Sequence, residues 1–166
     1  MSAKLNITYE DIYREVRAFL LGLFNLHEDN VIRGYSNNVP LPNGDFILMN
    51  IINERALSTT RHNYNIDESS AEVVQTAEIM LQLDFYGENA AKNAKTFSVL
   101  WRDFYACERF SCGQPLYCDE PKFMQFINEA SEYENRWTLT AFFNYNPALT
   151  HHQEFITSSN IEINQL

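Results

Sequence analysis

The residues best suited to chemistry are three cysteines within twelve positions, Cys107, Cys112 and Cys118. Their spacings match neither a Cys-x-x-Cys pair nor a zinc-knuckle pattern, and an odd number of cysteines does not close a disulfide framework. Cys107 continues a predicted helix, where a cysteine packs as a small apolar residue, and the other two flank a loop that contains Gly and Pro. The spacing therefore predicts no metal site and no cofactor.

A second group of polar residues, Arg61, His62 and Tyr64, lies in the segment STTRHNY. Successive side chains of a strand point to opposite faces, so His62 and Tyr64 would share one face and Arg61 would lie on the other. His151 and His152 are adjacent and would diverge in the same way, which prevents them from holding one ion together. Neither group forms a catalytic constellation.

Short motifs of common enzymes are also missing from the sequence. It contains no G-x-G-x-x-G, no Walker loop, no G-x-S-x-G and no H-E-x-x-H. We therefore predict that the protein is not an enzyme. A small cytosolic enzyme or ligand-binding module, with a site that the sequence does not reveal, remains the alternative.

The polar residues lie around one organising stretch, residues 72–105. Ile79, Leu81, Leu83 and Phe85 alternate with more polar residues, which predicts one long, half-buried strand that begins near Glu72. After a turn at Gly87 the apolar spacing becomes helical and continues to residue 105. The sequence thus predicts a strand that leads directly into a helix lying across it.

The remaining elements complete an α+β fold. Thr8 is placed as the N-cap of a first helix that runs to about Phe24, and Asp11 is three residues on. Strands are predicted at residues 46–52 and 137–145, while residues 111–121 are predicted to be irregular. We expect a single domain, residues 1–166, with one mainly antiparallel sheet flanked by two main helices and a flexible tail at residues 157–166.

Acidic residues outnumber basic ones by 22 to 12, which gives a net charge of −10. No Lys/Arg cluster interrupts this acidity, and tight DNA binding depends on such clusters to neutralise phosphates. The chain also lacks an apolar run near the roughly 18 residues of a membrane span, and its first residues are too charged for a signal peptide. We expect a protein of a cytosol-like compartment with neither specific DNA binding nor membrane contact.

Four segments in order carry a family resemblance: NNVPLPNGDFILM, ALSTTRHNY, LQLDFYGENAAKNA and ENRWTLTAFFNYNPALT. Together they resemble the tailed-phage neck or tail terminator proteins, including prophage copies, from about Tyr9 to Thr157. The resemblance implies a structural virion protein at the junction of neck and tail, assembled in the host bacterial cytoplasm. It further implies a ring, typically of six copies, that caps the tail tube and joins the tail to the neck.

The partners that the resemblance implies are other copies of the chain, the tail tube protein and a head-completion protein, either stopper or connector. A contact with the tail sheath is left open, and genomic DNA would pass through the lumen without specific binding. In such a ring we expect Asp67, Glu68 and Glu72 to face the lumen or a neighbouring subunit. Two segments suit strand addition between subunits: residues 39–42 and the tail with Ile161 and Ile163.

Overall fold

The computed structural model describes residues 3–34, 41–127 and 133–156. It confirms a mixed α+β architecture. In chain order the elements are β1 Lys4–Leu5, α1 Tyr9–Phe24, β2 Val31–Arg33, β3 Phe46–Ala56, β4 Arg61–Asn65, β5 Ser70–Val74, β6 Ala77–Tyr86, α2 Ala90–Trp101, α3 Phe104–Cys107, β7 Gln114–Cys118, β8 Lys122–Phe123, β9 Phe126–Ile127, β10 Tyr133–Glu134, β11 Arg136–Tyr145 and β12 Ala148–His152. A short 3₁₀ turn, Glu28–Asn30, precedes β2.

The main sheet has six strands in the order β2-β3-β6-β11-β7, and β8 also pairs with β11. Only the β2–β3 pairing is parallel among its described ladders. Leu83 of β6 lies opposite Met49 on one side and Leu139 on the other, and all three side chains are buried. The predicted alternation of β6 and β11 therefore supplies one apolar face, as expected of a strand covered on that side.

Two helices cover this apolar face. Helix α1 begins with the expected capping box, in which Thr8 and Asp11 exchange hydrogen bonds between side chain and backbone. Helix α2 follows Gly87, whose φ of +100° lets the chain reverse at the end of β6. Phe19 of α1 packs edge-on against Phe97 and Trp101 of α2, with ring centroids 6.1 and 5.9 Å apart. The two helices thus share one aromatic core with the sheet.

A β-bulge in β3 ties α1 to the sheet. The register shifts between Ile51 and Asn53, so that Glu54 lies opposite Ile79 and turns towards the helices. Its Oε2 accepts hydrogen bonds from the hydroxyls of Tyr9 at 2.7 Å and Tyr145 at 2.6 Å. One carboxylate therefore joins the start of α1, β3 and β11.

The prediction of a single sheet is wrong, because four strands form a second sheet in the order β1-β12-β5-β4, which we call the arm. The predicted long strand is interrupted at Gln75 and Thr76, opposite a matching interruption of β11–β12 at Asn146 and Pro147. Pro147 has no N–H to donate to a ladder, and the Thr76 hydroxyl donates to Asn146 Oδ1 at 2.8 Å instead. Both strands leave the main sheet at this level and continue into the arm.

Two further expectations differ from the structure. Residues 111–121 were predicted to be irregular, but Gln114–Cys118 forms the edge strand β7, an edge position being where Pro115 is tolerated. The second helix ends at Trp101 and restarts as α3 after Asp103, whose side chain accepts from the Tyr105 N–H. Residues 39 and 40 and the tail with Ile161 and Ile163 lie outside the described residues. Within the described residues, no helix has the length and apolar character required to span a membrane.

Candidate interaction surfaces

The three cysteines lie at separate places around the α2–β7 side of the core. Cys118 is the most buried, at 3% exposure, and it lies in β7 rather than in a loop. Cys107 and Cys112 are half-buried, so Cys107 is only partly enclosed where the sequence predicts a small buried apolar residue. Burial, together with the nearby Glu15 carboxylate, raises the pKa of Cys112 to about 12. No group of three or more potential metal ligands occurs among the described residues.

The Arg61, His62 and Tyr64 group lies on β4 and is divided between the two faces of the arm, as the alternation predicts. The rings of His62 and Tyr64 stack with centroids 6.0 Å apart, and Tyr64 also contacts the Phe155 ring edge-on. β4 is the outer strand of the arm.

Two of the three predicted acidic contact residues lie together at the end of the arm. Asp67 and Glu68 are exposed in the turn between β4 and β5, and Ile66 beside them is 61% exposed. Glu72 lies further back on β5, where its carboxylate accepts from Asn63 Nδ2 at 2.9 Å across the strand pair. We call Ile66, Asp67 and Glu68 the arm tip.

A groove between α1 and the edge strand β2 was not predicted from the sequence. Its volume is about 540 Å³. The lining includes three arginines and one carboxylate, with apolar side chains between them: Arg14, Arg17, Arg33, Glu10, Tyr13, Ala18, Leu21 and Ile32. We call this the arginine groove. The signal in the sequence was the i, i+3 spacing of Arg14 and Arg17, which places both on one side of a helix.

Arg17 is held by main-chain oxygens. Its Nε donates to Val31 O at 3.0 Å and its Nη2 to Glu28 O at 2.6 Å. No carboxylate lies within ion-pairing distance of Arg17 in the part of the chain that the structure describes. The guanidinium is therefore fixed in position while its positive charge is not neutralised by an acidic side chain.

The other two arginines are paired with acidic residues of α1. Arg33 Nη1 lies 2.5 Å from Glu10 Oε1, and its guanidinium lies 3.9 Å from the Tyr13 ring centroid. The hydrogen bond that the Arg33 guanidinium donates to Glu10 raises the pKa of Arg33. Arg14 Nη2 lies 2.6 Å from Asp11 Oδ1, with 72% of the Arg14 side chain exposed. With three arginines against Glu10 and Asp11, the groove retains positive charge in a chain whose net charge is −10.

Comparison with known proteins gives one strong finding. A family model described as "Phage neck terminator protein" matches residues 10–165, nearly the whole chain. No curated protein matches the chain.

Proposed function

Because the chain belongs to the phage neck terminator protein family, we propose that it is one subunit of a ring of six that caps the tail tube. The protein is a structural component of the phage neck. In the proposed role its single domain stops growth of the tube and joins the tail to the head-proximal neck. The match over residues 10–165 is the observation that carries this proposal.

The distribution of edge strands supports self-assembly. A cyclic ring uses two different patches, one on each side of the subunit. The main sheet ends in β2 on one side and β7 on the other, and the outer strand of the arm is β4. Edge strands carry unpaired backbone donors and acceptors, so they readily contact another chain.

The acidity supports a channel that DNA traverses without being bound. Six copies at −10 each carry a formal charge of −60. A wall with this sign repels phosphates, because it offers few cations to replace the counterions condensed on DNA. Within this proposal Asp67, Glu68 and Glu72 face the lumen or the neighbouring subunit.

The partners in this proposal are the tail tube protein below the ring and a head-completion protein above it. The ring would assemble in the host cytoplasm and remain at the junction of neck and tail. A contact with a tail sheath belongs to the same proposal where the tail has one.

Purified protein tests the assembly directly. We expect monomers at low concentration, because acidic subunits repel one another, and rings at high concentration or on added tail tubes. Light scattering after size exclusion gives the copy number, and negative-stain electron microscopy shows whether rings sit at tube ends. Only monomers or closed two-fold dimers under every condition, including with tubes present, would overturn the proposal.

A further inference from the structure

We propose that the arm tip of one subunit docks in the arginine groove of the next subunit around the ring. This inference rests on the ring proposed above and names the two patches that meet. It joins Ile66, Asp67 and Glu68 to a groove lined by Arg14 and Arg17.

The arm tip presents its side chains from a well-defined turn. The Glu68 N–H donates to Asn65 Oδ1 at 3.2 Å, and the Ser69 N–H donates to Ile66 O at 3.2 Å. The five residues of β5 place about 16 Å of strand between this turn and the main sheet, at roughly 3.3 Å per residue. The tip therefore offers one apolar side chain and two carboxylates at the end of a projection.

The arginine groove has the complementary chemistry. Its lining combines half-buried apolar side chains, Leu21 and Ile32, with the guanidinium groups of Arg14 and Arg17. Carboxylates form short, charge-assisted hydrogen bonds with guanidinium groups, and Ile66 would contact the apolar floor between them. Each patch thus has an apolar centre beside charged groups, and the charges of the two patches are opposite in sign.

Arg17 makes the groove selective for an anionic partner. Its guanidinium is already oriented by two main-chain oxygens, so binding a carboxylate orders little additional side chain. Its two hydrogen bonds to main-chain oxygens use Nε and Nη2, which leaves guanidinium N–H groups to donate to a partner. The arrangement is that of a preformed site for an acidic side chain.

The two patches lie on different parts of the subunit. The groove borders β2, at one edge of the main sheet, whereas the tip lies at the end of the arm. Asp67 and Glu68 are exposed and make no ion pair within the described residues. A contact between two unlike patches is heterologous, which is the kind of contact that closes a ring.

Reversing the charges tests the pairing. The tip variant carries Asp67→Arg and Glu68→Arg, and the groove variant carries Arg14→Glu and Arg17→Glu. Each variant alone presents like charges at every contact, so we expect the concentration for half-maximal ring formation to rise at least about tenfold. A one-to-one mixture of the two variants presents opposite charges at every contact, and we expect it to form rings with alternating subunits.

Three controls test whether the variants act through net charge, through folding stability or through the charges of the proposed contact. Glu88→Arg with Asp119→Arg changes the net charge as the tip variant does, at exposed sites that belong to neither patch, and should leave ring formation near the wild-type level. Arg14→Glu alone serves where loss of the Arg17 hydrogen bonds lowers the melting temperature of the groove variant. Wild-type rings should also weaken at about 0.5 M salt, because the Debye length falls to about 4 Å and the exposed charges of the tip and the groove are then strongly screened.

The outcomes are distinct. If wild-type protein forms no rings, the proposed function fails. If wild-type rings form and both variants form them equally well, or if the mixture fails where each variant alone fails, the tip-to-groove contact is wrong. Binding of short duplex DNA that Arg14→Glu abolishes would assign the groove to nucleic acid and would also overturn it.

Discussion

Removing the Tyr145 hydroxyl should lower the free energy of unfolding by about 2 kcal/mol. Tyr145 is 4% exposed, and its hydroxyl donates to Glu54 Oε2 at 2.6 Å. A hydrogen bond to a charged group contributes about 1.5–3 kcal/mol, and burial excludes the water that would replace it. For a chain of this length, Tyr145→Phe should lower the melting temperature by about 4–8 °C.

Tyr9→Phe should cost less, about 0.5–1 kcal/mol, because Tyr9 is 44% exposed and water can reach Glu54 in its place. Both hydroxyls donate to the same oxygen, so the double variant should depart from additivity by about 0.5 kcal/mol or more. Urea unfolding followed by tryptophan fluorescence measures all three values. Tyr64→Phe is the matched control, since this ring lies exposed on the arm.

The same contact predicts a loss of stability in alkali. The hydrogen bond to Glu54 and the charge of its carboxylate raise the pKa of Tyr9 from 10.0 to about 12. Burial and the hydrogen bond to Glu54 raise the pKa of Tyr145 even more. A raised pKa means that the unfolded chain ionises first, so this stabilisation is complete below pH 10 and is lost as the pH rises towards 12. Tyr145→Phe should lose less stability than the wild-type protein over that pH interval.

The reasoning about the hydroxyl groups would be refuted if Tyr145→Phe lowered the free energy of unfolding by less than about 0.5 kcal/mol, or if Tyr9→Phe lowered it more than Tyr145→Phe does.

Three other substitutions or treatments test local features. Gly87→Ala should destabilise by about 1–3 kcal/mol, because φ is +100° and an added Cβ would clash with the Asp45 carboxylate. Gly22→Ala adds a Cβ that meets nothing within 4 Å, and it should stabilise α1 by about 0.5–1 kcal/mol. Thermal melts compare the two variants. Iodoacetamide at about pH 8 should label Cys107 faster than Cys112, whose pKa is raised to about 12, and mass spectrometry showing equal rates would contradict this. Hydrogen bonds with Thr8, the α1 N-cap, lower the pKa of Asp11 from 3.8 to about 2, so the stability that Asp11 contributes is present above pH 3.8 and lost as the pH falls towards 2. Asp11→Asn should therefore flatten the dependence of stability on pH in that range. An unchanged pH dependence would count against this prediction.

Local rules were enough to predict the elements that face the core. The capping pair Thr8 and Asp11, the turn at Gly87 and the alternation through residues 79–85 each depend on neighbours in sequence, and each is present in the fold. Local signals of this kind predict where helices and strands lie and which of their faces are buried.

The division into two sheets could not be predicted in the same way. The interruption at Gln75 and Thr76 contains neither Gly nor Pro, and the residue that marks it, Pro147, lies in the partner strand. Recognising it requires the register between two strands that are distant in sequence. The strand β7 was missed for the opposite reason, because Pro115 is a breaker signal that an edge strand tolerates.

Of the two candidate surfaces, the arm tip could be predicted from the sequence better than the arginine groove. The turn that carries Asp67 and Glu68 was recognisable from composition, and the structure places it at the end of the arm. The groove was signalled only by the spacing of Arg14 and Arg17, because Arg33 joins them only when β2 folds beside α1. A positive site assembled from distant residues leaves no run of basic residues in the sequence, and the overall charge of −10 conceals it.

The paired interruption between the main sheet and the arm has a mechanical consequence. Strand β6 is hydrogen-bonded on both sides along its length, so a pull along it must shear two ladders at once. At Gln75 and Thr76 the regular ladders stop, and three of the five hydrogen bonds that hold the chain there involve a side chain. We therefore expect tension applied at the turn of the arm to break these side-chain hydrogen bonds before it shears the two ladders of β6.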